Sequence, residues 1–312
     1  MENFLLSKNH TMQDLIQRAK TVANSDAAVL LQGETGTGKN WLAKFIHFQS
    51  PRRNGLFQRI DCAEFSRSLI ESELFGHEKG AFTGATQTKS GLLELVCGGT
   101  LFLDEIENLD HELQVKLLHV LGEKKFRRVG GREEMVTDFC PISATNADIE
   151  QLVASGAFRK DLYYRLNGVV LKLPPLRERP EDIPLFVDHF LKEFGKRYGR
   201  HLTISPEAMR CLQAFPWPGN IRELRMKLEA VIIFANTTRI GIEHLPLDIQ
   251  QGELLATAEK EQWTAETLMK AYVQRVLRIT GGNHARAAKI LGWSLNTLKK
   301  RIQEGGLDKS LS

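Results

Sequence analysis

AAVLLQGETGTGKNWLAKFIH, residues 27–47, decides how the rest of the chain is read. It reads as a short apolar strand, a glycine-rich turn and then an amphipathic helix. The turn, GETGTGK from Gly33 to Lys39, fits the spacing G-x-x-x-x-G-K. Gly33, Gly36 and Gly38 let the backbone curl, so that N–H groups of a loop also containing Glu34, Thr35 and Thr37 point at phosphate oxygens. The N-terminus of the following helix adds its dipole. Lys39 would reach the β- and γ-phosphates of a bound nucleotide. The spacing predicts Ser or Thr next, to ligate Mg²⁺; Asn40 stands there and is a weaker ligand. A bare glycine-rich turn with no ligand is the bland alternative, and the flanking strand and helix argue against it.

A second stretch supports the nucleotide reading. GGTLFLDEIENL, residues 98–109, carries the run Leu101-Phe102-Leu103 and ends in two acids. Such a run suits a central parallel strand, and open α/β sheets bind ligands at the carboxyl ends of their strands. Asp104 would hold Mg²⁺, and Glu105 would act as general base on the attacking water. On an ordinary surface loop, two adjacent carboxylates would mean nothing. A third strand is expected over residues 139–144, with Thr145 and Asn146 after it; Asn146 can orient the water or sense the γ-phosphate, although Asn also ends many strands as a turn residue.

The chain has 312 residues, too many for one core, so two or three domains are expected. Hydrophobic residues make up 42% and charged residues 26%, the balance of a globular protein rather than a disordered one. No run of about 18 apolar residues occurs, and the first ten residues lack the basic and apolar regions of a secretory signal. Cys62, Cys97, Cys140 and Cys211 form no C-x-x-C pair, as expected of free thiols in a reducing cytoplasm. The net charge is +4, and the segment 283–312 alone supplies it: Arg286, Lys289, Lys299, Lys300, Arg301 and Lys309 against Glu304 and Asp308. A basic end of this kind is expected to meet a polyanion.

ELFGHEKGAFTGATQ, residues 73–87, sets Phe82 between glycines with no hydrophobic period around it. Such an aromatic ordinarily tucks back into the core. The other reading is a loop that presents Phe82 to a partner.

GETGTGK, ESELFGHEKGAFTGA, GGTLFLDEI, SATNADI, FRKDLYYRL, LPPLRER and WPGNIREL occur in that order. With them the chain resembles a sigma-54-dependent transcriptional activator, a bacterial enhancer-binding protein of the AAA+ class, from about Asp14 to Asp248 and again at the C-terminal end. The resemblance implies an α/β fold: an AAA+ P-loop three-layer αβα sandwich with an α-helical lid, followed by a small all-α helix-turn-helix domain. It implies ATP and Mg²⁺ as cofactors, and a homo-oligomer that passes from dimer to hexameric ring. Gly80, Ala81, Phe82, Thr83, Gly84 and Ala85 match the hexapeptide GAFTGA, a loop over the ring's pore whose tip touches sigma-54 in the RNA polymerase holoenzyme. Arg159 and Arg165 match arginine fingers that reach a neighbouring subunit's γ-phosphate; alone, both would read as solvated helix charges. Arg222 matches the second sensor, Thr145 and Asn146 the first, and residues 128–131 a second pore loop. Two positions depart from the family pattern. Asn40 replaces a frequent Glu, and Asp61 replaces an Asn thought to restrain the catalytic Glu; either Asp61 repels Glu105 or Asp61 is protonated, and a changed restraint on Glu105 is expected.

The boundaries expected are 1–172 for the nucleotide-binding αβ subdomain, 173–250 for the lid, 251–263 for a linker and 264–312 for the DNA-binding domain. Lid helices are expected near 183–198, 206–215 and 221–235. Leu268, Tyr272, Val276 and Ile279 mark one apolar face of a helix. Beyond it, Asn283 and Ser294 can each N-cap a helix, Gly292 permits the turn between them, and Leu298 and Ile302 face the core. Asn296, Thr297, Lys299, Lys300 and Arg301 then lie outside, with the chemistry of a major-groove helix. This segment resembles a Fis-type helix-turn-helix, which implies dimeric binding to double-stranded enhancer DNA; a three-helix module for protein contact is the alternative. About 30 residues precede Gly33, so control by a trans-acting partner protein, by expression level or by neither is expected. A repressor whose ATP site only sets oligomeric state, and an AAA+ loader with another client, remain as rival functions.

Overall fold

Five parallel strands form the central sheet of a computed structural model that describes residues 7–64, 66–235, 237–250, 252, 258 and 261–305. They are β1 (Val29–Gln32), β2 (Phe57–Asp61), β3 (Thr100–Asp104), β4 (Cys140–Thr145) and β5 (Val169–Lys172), in the order β2-β3-β4-β1-β5. Strand alternation divides the side chains between two faces. Leu30, Ile60, Leu101 and Leu103 pack with helices Arg67–Phe75, His111–Glu123 and Lys160–Leu166. Val29, Leu31, Phe102, Ile142 and Ala144 pack with helices His10–Ala23 and Lys39–Gln49 on the other face. Both faces of a parallel sheet are thereby covered, the three-layer arrangement expected.

The register matters for the site. β2 and β3 pair so that Asp61 lies opposite Asp104, and β1 and β4 so that Gln32 lies opposite Thr145. Four strand ends therefore bring Gln32, Asp61, Asp104 and Thr145 to one edge.

By internal packing the chain divides into two units, residues 1–182 with 218–223, and residues 183–217 with 224–312. The return of 218–223 to the first unit places Asn220 and Arg222 with the phosphate loop. In the second unit, helix Ile183–Tyr198 buries Phe186, Val187, Phe190, Leu191 and Phe194 at helical spacing. Helix Pro206–Ala214 starts with Pro206 and a Ser205 cap that accepts from the Ala208 N–H at 3.1 Å. Trp217 is buried, its indole donating to the Leu212 carbonyl at 2.7 Å.

Helices Ala265–Ile279, His284–Leu291 and Leu295–Gly305 close a separate small core of Val273, Val276, Leu277, Ala287, Ala288, Leu298 and Ile302. The first helix turns Val273 and Leu277 inward beside Val276, while Tyr272 is only half-buried. The apolar stripe expected at 268, 272, 276 and 279 is thus rotated, because two helices pack against this one and draw in residues flanking Val276. The Ile279 side chain and most of 251–260 lie outside the described residues, as does 306–312. Among the described residues, no helix is long and apolar enough to cross a membrane.

Candidate active site

The phosphate loop sits between β1 and helix Lys39–Gln49. Gly33, Gly36 and Gly38 have φ of 153°, 81° and 109°. At Gly36 this is left-handed backbone with no room for a side chain, since a Cβ would meet the Gly219 carbonyl and lie 3.1 Å from Arg222 Cβ. Lys39 is buried and folds back on the loop, its Nζ donating to the Gly33 carbonyl at 2.6 Å and the Glu34 carbonyl at 3.3 Å. Burial pulls its pKa down, against the attraction of Asp104, Glu107 and Glu105.

Asp104 ends β3 and is buried; Glu105 follows with φ 53° and ψ 49°. A non-glycine residue held in left-handed backbone costs roughly 1–3 kcal/mol and is common at active sites. Asn146 Nδ2 donates to Thr35 Oγ1 at 3.1 Å and Glu105 Oε1 at 3.4 Å, tying the end of β4 to the phosphate loop and the acid. Desolvation first, then repulsion from Asp61, Glu107 and Asp104, holds the Glu105 carboxyl above its usual range. A carboxylate with raised pKa is a better proton acceptor at neutral pH.

The donors present suit a divalent cation. Asp104 supplies a carboxylate, and Asn40 Oδ1 is buried with no hydrogen-bond partner among the described residues. An orphaned amide oxygen next to the phosphate-binding lysine is the kind of hard oxygen ligand Mg²⁺ takes.

Several side chains here escaped the sequence reading. Asn220 is fully buried with φ 54°. Its Oδ1 accepts from the Leu176 N–H at 2.7 Å, and its Nδ2 donates to the Thr35 carbonyl and to Glu34 Oε2, both at 3.1 Å. Arg177 grips Glu34 in a fork of 2.6 and 2.9 Å. With Asn220 it keeps the Glu34 carboxyl below its usual range. Arg179 is buried and donates to the Thr37 carbonyl at 2.7 Å, and burial lowers its pKa to about 10. Arg59 forks onto Asp104 Oδ2 at 3.1 and 2.8 Å and onto Asp61 Oδ2 at 2.8 Å. The G-N pair of WPGNIREL was a readable signal for Asn220, because Asn tolerates left-handed backbone. The three arginines had no such local signal.

The arginines at 159 and 165 do not join this group. Arg159 pairs with Asp161 at 2.7 Å, and Arg165 donates to the Leu121 carbonyl at 2.7 and 3.2 Å.

Residues 80–85 form a tight turn above the ribbon of Gly76–His77 and Lys89–Ser90. Gly80 N–H donates to the Ala85 carbonyl at 2.8 Å, and Ala85 N–H to the Phe82 carbonyl at 3.0 Å. Ala85 is buried, whereas Thr83 and Gly84 are exposed and Phe82 is 40% exposed with its ring edge-on to His77. Gly130 packs so closely that a Cβ there would lie 2.8 Å from Ala81 Cβ. Arg128 forks onto Glu94 at 2.8 and 2.7 Å and reaches Glu78 at 2.9 Å, fixing the base of the turn.

At the far end of the chain, Asn283 and Ser294 cap their helices, and Gly292 ends helix His284–Leu291 with φ 68°. Asn296, Thr297, Lys299, Lys300 and Arg301 are all exposed, with Arg301 over the Trp293 ring.

Residues 5–172 match the Sigma-54 interaction domain, 177–262 the AAA+ ATPase lid domain, and 265–305 the Fis family of bacterial regulatory proteins. The first match alone covers more than half the chain. The chain belongs to the sigma-54-dependent transcriptional activators. The regulatory protein AtoC of Escherichia coli K12 is 42% identical over 97% of this chain and 68% of its own length. The Nif-specific regulatory protein of Herbaspirillum seropedicae is 50% identical over 85% of this chain and 49% of its own. That of Azotobacter vinelandii is 41% identical over 97% and 59%. The chain thus spans about half to two thirds of the length of these relatives. Among solved structures, NtrX from Brucella abortus in complex with ADP has a TM-score of 0.74 at 32% identity, covering 98% of this chain and 70% of that one. Its complex with ATP gives 0.72 at 34% identity, covering 97% and 69%. The activator is accordingly an AAA+ ATPase carrying a Fis-type DNA-binding segment.

Proposed function

We propose that the activator hydrolyses Mg-ATP at the site around Lys39 and uses the stroke of residues 80–85 to remodel the closed complex of sigma-54 RNA polymerase into an open one. The observation that carries this reading is the convergence of Lys39, Asp104, Glu105 and Asn146 on one sheet edge, together with an exposed Phe82-Thr83-Gly84 tip braced by Arg128. The glycine-lined loop and Lys39 cradle the phosphates, and Arg222 lies beside Gly36 to sense them. Asp104 and Asn40 would hold Mg²⁺, which when bound would neutralise charge on the phosphate oxygens. Glu105 takes the proton of the attacking water, and Asn146 orients it. Arg159 and Arg165, which this chain's own nucleotide site does not use, serve a neighbouring copy in a ring, a hexamer in this reading. Asp161 and the Leu121 carbonyl hold them until then.

The boundaries 1–172, 173–250, 251–263 and 264–312 divide the labour between motor, lid, linker and DNA reader. Asn296, Thr297 and Lys300 would meet base edges while Lys299 and Arg301 meet phosphates, two copies reading an inverted repeat in upstream enhancer DNA. The site of action is the cytoplasm, and a trans-acting regulatory protein would supply control.

The test is promoter melting by purified activator with sigma-54 holoenzyme on a supercoiled template, read by permanganate footprinting. Melting should require ATP and should fail with a non-hydrolysable analogue. Thr83→Ala should turn over ATP at the parent rate and melt nothing. If Thr83→Ala melts the promoter as the parent does, the loop does not deliver the stroke.

A further inference from the structure

We propose that Arg59 is a positioning residue of the ATPase: by sharing Asp104 with the divalent cation, it sets how much metal the site needs to bind nucleotide. The inference rests on the assignment of Asp104 as the metal-side carboxylate. The geometry follows from the strand. Residues 59 and 61 are two apart on β2 and share a face, while Ile60 points into the core. Register then sets Asp61 directly opposite Asp104 on β3. Two carboxylates facing each other across adjacent strands repel, unless a cation lies between them. Arg59 is that cation. Its Nε and Nη2 reach Asp104 Oδ2 at 3.1 and 2.8 Å, and Nη2 also reaches Asp61 Oδ2 at 2.8 Å.

The two acids are not used alike. Asp61 Oδ1 accepts the Ala63 N–H at 3.1 Å, so both of its oxygens are engaged within β2 and the turn after it. Asp104 gives Arg59 only Oδ2. The acids are mostly enclosed, at 15% and 12% side-chain exposure, while Arg59 at 35% lies at the solvent side. A guanidinium cannot shed its charge, so the site holds a fixed cation on the carboxylate a metal must share. Asp61 restrains that cation by taking part of its fork. Arg59 and Asp61 therefore work in opposite directions. Removing Arg59 frees Asp104 for the metal; neutralising Asp61 commits Arg59 wholly to Asp104.

The experiment titrates MgCl₂ against the purified chain with a fluorescent, non-hydrolysable ATP analogue and reads the Mg²⁺ midpoint for analogue binding. Arg59→Gln should lower that midpoint by about fivefold, the scale of a partly exposed ion pair. Asp61→Asn should raise it. Arg59→Lys keeps the charge but not the fork and should fall between Arg59→Gln and the parent; it carries the test if circular dichroism shows Arg59→Gln misfolded. A role confined to holding β2 against β3 would weaken analogue binding at every Mg²⁺ concentration without moving the midpoint, and that result overturns the proposal. So does a midpoint that rises in Arg59→Gln. Asp104→Asn reads the metal assignment by itself. If it leaves the titration unchanged, the site reading fails; if it shifts the titration while the Arg59 variants do not, the clamp alone fails.

Discussion

Replacing Asn220 by alanine should be one of the most damaging single changes away from the reacting groups. The side chain is fully buried and satisfies two backbone groups 44 residues or more away in sequence, the Leu176 N–H at 2.7 Å and the Thr35 carbonyl at 3.1 Å. Leaving a buried donor or acceptor without its partner costs about 1–3 kcal/mol for each. The residue also sits at φ 54°, where alanine is strained by about 1–2 kcal/mol relative to a residue that tolerates the left-handed region. The two effects together place the cost at roughly 4 kcal/mol. Within a unit of this size that corresponds to a fall in Tm of about 10 °C. Two variants separate the causes. Asn220→Gly loses the same hydrogen bonds but accepts the backbone, so it should recover about 1 kcal/mol relative to alanine. Asn220→Asp keeps an acceptor for Leu176 but places a carboxylate against Glu34 and offers Thr35 no donor. It should therefore be no better than glycine at neutral pH. Thermal unfolding of the full chain, with and without ADP, measures all three. An Asn220→Ala protein that melts within 2 °C of the parent, a limit well below the calculated fall of about 10 °C, would refute the reasoning, because burial and hydrogen bonding could not then be holding the phosphate loop from behind.

Glu105→Gln should bind ATP and fail to turn it over, measured by nucleotide binding against phosphate release. The same variant carries a pH signature. Since the folded pKa of Glu105 is raised, the stability contributed by its bound proton is complete below the ordinary value of about 4.3 and is lost as pH climbs through the folded value. The glutamine stays neutral throughout, so its Tm should match the parent near pH 4 and exceed it at pH 8; a Tm advantage independent of pH would contradict the desolvation and repulsion assigned to Glu105. At the other end of the chain, Lys300→Ala should reduce the salt slope of enhancer binding by about 1 if it meets a phosphate, and relax preference at one base position if it meets a base edge. Affinity titrations at several salt concentrations on specific and scrambled duplexes distinguish the two. No change on either duplex would remove Lys300 from the interface.

The parts legible in the sequence were those fixed over a few consecutive residues. The glycines of 33–38 announce their turn because only glycine fits the backbone there, and Leu101-Phe102-Leu103 announces a strand covered on both faces. The lid helix expected near 183–198 spans Ile183–Tyr198 and buries its apolar residues at helical spacing. What was illegible depends on register and on distant partners. Arg59 looks like an ordinary exposed strand cation until the pairing of β2 with β3 puts Asp104 beside it. Nothing in the string LPPLRER tells that Arg177 forks onto Glu34 or that Arg179 is buried against the Thr37 carbonyl. Asp61 is among the acids that, behind desolvation, hold the Glu105 carboxyl above its usual range, but Asp61 itself is engaged by Arg59, which no local pattern revealed.

The way the phosphate loop is held has a consequence for how a nucleotide can be felt elsewhere. Arg179 and Asn220 grip the loop chiefly through the carbonyls of Thr37 and Thr35, so the hold depends on the loop's backbone path more than on its side chains. A shift of that path on nucleotide binding or phosphate loss must stretch or release these bonds. Asn220 is also the first residue of helix Asn220–Phe234, most of which belongs to the second unit. The pull on the loop is therefore passed along the covalent chain into that helix, and no packing between the two units is required to carry it. The tip at 80–85 is braced differently, by Arg128 on Glu78 and Glu94 and by the fit of Gly130 against Ala81. Among the described residues, the hydrogen bonds of Arg128 in that brace go to Glu78 and Glu94 and not to the phosphate loop. Within the first unit, Asn146 links the phosphate loop to the acid at the end of β3, bonding both Thr35 and Glu105. Cutting at Asn146 should uncouple the tip from the nucleotide, whereas cutting at Asn220 should loosen the nucleotide itself. The two asparagines serve one loop from opposite sides and fail in different ways.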